Sequence, residues 1–116
     1  MAYSTYDRWG RHERNPPVER LYKILHQLDI ETEDREHTDV SLRHHETGWF
    51  LSAFLSGRLM WAWDADADDD VPDPVVYGGD RHMKGVSRQK VLELWLKLAA
   101  GDIAAVEAEP WLPGSH

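Results

Sequence analysis

Cysteine is absent from all 116 residues. That excludes disulfides, iron–sulfur clusters and thiolate zinc sites, and it suits a reducing compartment. Long hydrophobic runs are missing as well, since no stretch approaches the roughly 20 apolar residues that cross a bilayer. The opening residues Met1-Ala2-Tyr3-Ser4-Thr5-Tyr6-Asp7-Arg8 hold no apolar signal core. A cytoplasmic protein without a membrane partner is therefore expected. The chain also has no G-x-S-x-G elbow, no HExxH and no phosphate-binding or dinucleotide fingerprint. No catalytic residue, metal or cofactor is assigned on sequence grounds.

Basic charge is scarce, and unevenly so. The net charge is −8. Residues 1–30 and 81–116 each hold five basic and four acidic side chains, whereas residues 31–80 hold three basic and thirteen acidic. A middle third of this kind repels nucleic acid and attracts a basic protein or a cation. The other reading of the same excess is plain solubility.

What the chain has in abundance is tryptophan, with six residues in a composition that is 41% hydrophobic. The run from Thr47 to Trp63 predicts two β-strands joined by a two-residue Ser56-Gly57 turn, with Gly57 at positive φ. Trp49, Leu51, Ala53 and Leu55 would share one face, and Phe50, Ser52, Phe54 and Ser56 the other. Leu59, Trp61 and Trp63 fall on one face of the second strand. Both faces carry aromatics, so both call for some cover: helices on one, the N-terminal arm or a partner on the other.

Around this hairpin the pattern is α+β. Residues 1–14 show no period and read as a flexible or loosely docked arm, with residues 15–116 forming one domain. Asn15-Pro16-Pro17 predicts a helix start with Asn15 as N-cap, followed by an apolar stripe of Val18, Leu21, Tyr22, Leu25 and Leu28 that ends near Asp29. Val40 and Leu42 alternate with polar residues as in a strand, and Pro74–Tyr77 suggests another. The sheet is thus a three- or four-stranded antiparallel meander. Ser87 is the expected N-cap of a long apolar helix through Ala99, with Trp95 and Leu92 buried on the hairpin. Gly101 suits the position after that helix, and Asp102 would cap a short C-terminal helix. Both are expected to pack on the sheet, with Trp111-Leu112-Pro113 folding back on the body.

Asp64-Ala65-Asp66-Ala67-Asp68-Asp69-Asp70-Val71-Pro72-Asp73 is the segment closest to a ligand motif. Asp64, Asp66 and Asp68 match the first three ligand positions of a calcium loop, but Asp69 stands where glycine is needed and Val75 where a bidentate glutamate is needed. The segment reads instead as a surface for a basic partner. Asp64, Asp66, Asp68, Asp69, Asp70 and Asp73 would supply charge, and Trp61 and Trp63 anchors. A second reading places a small-ligand or enzymatic site near Tyr77–Lys84, using Asp80, Arg81, His82 and Lys84 before a helix N-terminus. A structural homo-oligomer, with a homodimer as its simplest form, is a third.

The acidic charge, the missing cysteine and the tryptophan-rich hairpin together resemble bacterial immunity proteins, in architecture and charge alone. That resemblance implies a small α+β inhibitor that docks an acidic face on a toxin domain.

Overall fold

The computed structural model describes residues 2–30, 32–34, 36–63 and 80–114. Strand-forming residues alternate in face along a seven-stranded antiparallel sheet: β1 Tyr3–Tyr6, β2 His12–Arg14, β3 Asp39–His44, β4 Trp49–Phe54, β5 Leu59–Trp63, β6 Arg81–Met83 and β7 Leu112–Pro113. The spatial order is β2-β1-β3-β4-β5-β6-β7. The helices are α1 Val18–His26, extended by a tight turn at Gln27–Asp29, then α2 Arg88–Ala99 and α3 Ile103–Glu107. The α+β class is as expected, but the sheet is wider than a three- or four-stranded meander.

Much of the difference lies in the segment expected as an arm, where Tyr3–Tyr6 form β1 and His12–Arg14 form β2. Asp7 makes the turn between them. Its backbone N–H donates to the Arg11 carbonyl at 2.9 Å, and its Oδ1 accepts the N–H of Trp9 at 3.0 Å and of Arg11 at 2.9 Å. Gly10 completes the turn at φ 81°. β2 is the edge strand and β1 the next one in, and both are short and largely polar, so hydrophobic alternation does not mark them. Nor do they cross the face opposite the helices.

Asn15 is not the N-cap of α1. It sits at φ 50°, accepts the Tyr3 N–H on its Oδ1 at 2.9 Å and donates its own N–H to the Tyr3 carbonyl at 2.8 Å. It fastens the helix approach to β1, and Pro17 takes the capping position without a side-chain bond. Helix α1 buries Leu21, Ile24 and Leu25, with Leu28 following, while Val18 and Tyr22 are exposed. The buried stripe keeps Leu21, Leu25 and Leu28 of the expected one, with Ile24 in place of Val18 and Tyr22.

The hairpin turn is a three-residue loop, Leu55-Ser56-Gly57. Ala53 stands opposite Leu59, the Phe54 N–H donates to the Arg58 carbonyl at 2.9 Å, and the Gly57 N–H donates to the Phe54 carbonyl at 3.0 Å. Gly57 has φ 90° as expected, in the geometry of a turn closed by a left-handed residue. The extra loop residue keeps the strand faces as the alternation places them.

One sheet face carries Val40, Leu42, Leu51, Ala53, Leu59 and Trp61, all buried under Leu21, Ile24 and Leu25 of α1 and Val91, Leu94, Trp95 and Leu98 of α2. Trp95 is fully buried and donates its indole N–H to the Leu51 carbonyl at 3.2 Å. Leu92 is only partly buried and Leu96 is exposed, so α2 is an amphipathic cover and not an all-apolar core helix. Ser87 caps it by accepting the Lys90 N–H at 3.1 Å, and Asp102 caps α3 through the Ala105 N–H at 3.2 Å.

The connection after α1 is pinned from below. The buried Arg8 guanidinium donates to the carbonyls of His37 at 2.7 Å and Gln27 at 2.8 Å, and also to that of Ile30. Asp34 accepts from the ring and backbone of His37 and the backbone of Glu36, and these bonds hold its carboxyl down to about 2.

Candidate functional site

The acidic run from Asp64 to Asp73, with Asp64, Asp66, Asp68, Asp69, Asp70 and Asp73 as its charges, lies outside the described residues, as does the strand expected at Pro74–Tyr77. Its two attachments are described. Trp63 ends β5 and Asp80 precedes β6, and Trp61 pairs with Arg81. Because β5 and β6 are antiparallel neighbours, the chain leaves and rejoins the body at one end of the sheet.

That end is built from aromatics. Trp49 and Trp61, on neighbouring strands, stack with ring centres 4.5 Å apart and planes 9° apart. Trp111 lies 6.1 Å beyond, and its indole N–H donates to the Val106 carbonyl at 2.8 Å. Arg81 places its guanidinium 5.8 Å from the Trp49 ring centre. Helix α3 then brings Glu107 onto the cluster. Its Oε1 accepts the Trp61 indole N–H at 3.0 Å and Arg81 Nη2 at 2.8 Å, and its Oε2 accepts Arg81 Nη1 at 2.7 Å. The Arg81 bonds hold the Glu107 carboxyl below the usual range against the opposing pull of burial, and the indole bond adds to the effect. A two-pronged guanidinium–carboxylate pair of this type fixes both planes.

Trp61 is therefore a fully buried structural residue, closed off from any partner by Trp49, Glu107 and Trp111. Trp63 is half-buried at the mouth of the acidic run and is the more accessible member of the expected anchor pair.

The residues of the second expected site do not converge. Arg81 and His82 are successive in a strand, so they point to opposite faces. Arg81 is committed to Glu107. His82 is buried on the other face and donates from Nδ1 to the Gly114 carbonyl at 2.8 Å. Asp80 accepts the Gly114 N–H on its backbone carbonyl at 2.9 Å, and Lys84 is exposed beyond β6. These bonds dock the C-terminal strand. Trp111 folds back on the body as expected, but Glu107 is not marked in the sequence, because no local pattern points to a carboxylate 26 positions from its arginine.

Two further features bear on chemistry. His44 is buried beside Trp49 and shares a hydrogen bond with Thr47 Oγ1 at 2.9 Å, while its Nε2 has no partner. Burial pushes its pKa below the ordinary histidine value, opposed by nearby Glu46. The sheet face opposite the helices, meanwhile, presents Tyr6, Phe50 and Phe54 with Arg14, Arg43 and Arg58 among them. The pairing of strands brings Arg14 and Arg43 to this face, which Arg58 alone represented in the hairpin sequence. Among the described residues, no group of three or more histidine, aspartate or glutamate side chains is placed to hold a metal ion.

Comparison with protein-family models, curated proteins and solved structures finds no match for this chain.

Proposed function

We propose that this chain is a protein-binding module of the inhibitor or immunity type, which docks on a basic partner through residues 64–73. One observation carries the reading: six aspartates and no basic side chain occur within ten residues, in a segment attached at both ends to one end of the sheet. Like charges held close together raise the local potential and speed encounter with a surface of opposite sign. The half-buried Trp63 beside that segment is the aromatic contact that adds affinity once the surfaces meet. Arg81 and His82 supply little support for the ligand-site reading, since each is held by a bond inside the fold and they face opposite ways.

The test uses the quadruple variant in which Asp66, Asp68, Asp69 and Asp70 become Asn. Immobilised wild-type chain is expected to retain a basic protein from cells that express both, identified by mass spectrometry, and the variant to retain it several-fold less. Equal retention by the two chains contradicts the proposal. Retention of the chain itself, with a dimer in sedimentation, supports the homo-oligomer reading in its place.

A further inference from the structure

We propose that the hollow at the hairpin tip, with the Arg58 guanidinium as its charged wall, binds a carboxylate-bearing ligand. Thr32, Thr38, Phe54, Leu55, Ser56 and Arg58 line a space of about 420 Å³, which is within the range of small-molecule sites. This site is at the opposite end of β4 and β5 from the acidic run, so it stands or falls independently of the partner proposed above.

Arg58 Nε is buried and has no hydrogen-bond partner, although a buried donor left unpaired costs free energy. Arg81 also has an unpaired Nε, but its two terminal nitrogens are held by Glu107. Arg43 has a partner of its own. Arg58 differs from Arg81, because no described carboxylate forms an ion pair with it. It is nevertheless held in place. The guanidinium carbon lies 4.0 Å from the centre of the Phe54 ring, a cation–π contact that holds the group in place with Nε turned away from solvent. A guanidinium fixed in this way is prepared for a two-pronged oxyanion.

The rest of the lining selects the kind of oxyanion. Thr32, Thr38 and Ser56 bring hydroxyls that can donate to the ligand, while Leu55 and Phe54 provide apolar wall for an organic body. Asp39, across the ladder from Phe54, feels the charge of Arg58 without bonding to it, and burial raises its carboxyl pKa. A second anionic group so near disfavours a doubly charged phosphate more than a singly charged carboxylate. A carboxylate is carried either by a free organic acid or by an acidic side chain of a peptide. The site chemistry is the same for both.

The probes are sodium benzoate, a capped peptide with one glutamate, inorganic phosphate and sodium chloride, each titrated at constant ionic strength. Amide and Arg58 Nε signals are followed by nuclear magnetic resonance. Saturable shifts confined to Thr32, Thr38, Ser56 and Arg58 with benzoate support a free acid, and the same shifts with the peptide alone support a peptide carboxylate. Arg58→Gln is expected to weaken either by roughly tenfold or more, and Thr38→Val, which keeps the backbone bond from the Leu55 N–H to the Thr38 carbonyl, to weaken it less. Saturation by phosphate but by neither carboxylate overturns the proposal. So does a linear response equal to that of chloride, the behaviour of a side chain bonded only to water. Unchanged binding in a folded Arg58→Gln chain overturns it as well.

Discussion

Glu107 receives three donors on two oxygens, and so one carboxylate joins β5, β6 and α3. Its depressed pKa means that the folded chain favours the charged form. The stability this contributes is present above the ordinary glutamate range and is lost as pH falls through the lowered value. Glu107→Ala is expected to lower the urea midpoint at neutral pH and to shift tryptophan emission to the red as the Trp61–Trp111 contact loosens. An unchanged midpoint and spectrum contradict the clamp. His44 titrates in a different window. Burial favours its neutral form in the folded state, so the unfolded chain binds the extra proton below about pH 6.5, and stability falls with pH from there toward the lowered folded value. The urea midpoint of the wild type should drop between pH 7 and pH 5, and His44→Gln should flatten that drop. An equal slope in both chains assigns the effect to other groups. Neither role is legible in the sequence. Glu107 reads as a surface residue of a short helix, and His44 as one of two adjacent histidines. What the sequence does reveal at this scale is the caps, since Ser87 and Asp102 act within three residues of themselves.

Helix α2 rests on the sheet through Trp95, whose ring is enclosed and whose N–H is bonded to β4. Trp95→Ala removes a large apolar volume and a hydrogen bond together, for an expected loss of about 3–5 kcal/mol in chemical unfolding. A loss under about 1 kcal/mol would mean that the helix is not anchored there. The hairpin tip gives a backbone prediction. Gly57 lies at φ 90°, and a Cβ there would meet the Gly85 backbone at 3.6 Å (Cα) and 3.8 Å (N), ordinary contacts. The cost of Gly57→Val is therefore conformational, about 1–2 kcal/mol, and Gly57→Asn should cost less. Equal effects of Val and Asn would contradict that account. The elements with strong alternation or helical period, namely β3, β4, β5, α1 and α2, are legible in the sequence. Strands β1, β2, β6 and β7 are not. They are two to four residues long, too short for an alternation to show, and apart from the local β1–β2 pair they are held by neighbours far away in sequence. The hairpin loop is one residue longer than the sequence alone predicts, because Gly57 serves either turn geometry. Only the register of Ala53 with Leu59 decides between them.

At the scale of the molecule, helices cover one face of a seven-stranded sheet, and the other face shows aromatic and basic side chains. The chain as a whole carries −8, concentrated between residues 31 and 80. No helix among the described residues is long and apolar enough to cross a membrane. The charge asymmetry is legible from composition, and the proposed docking on a basic partner rests on it. Which aromatics remain available was not legible, because burial of Trp61 depends on Glu107 and Trp111 arriving from the C-terminal helix and strand. The most direct test is the association rate constant with the captured basic partner, measured by stopped flow across a series of salt concentrations. The wild type should associate several-fold faster at low salt than the chain with Asn at positions 66, 68, 69 and 70. The two rates should converge as the Debye length shortens to about 8 Å near physiological ionic strength. Equal rates at low salt, or a difference that does not change with salt, would contradict steering by the acidic run.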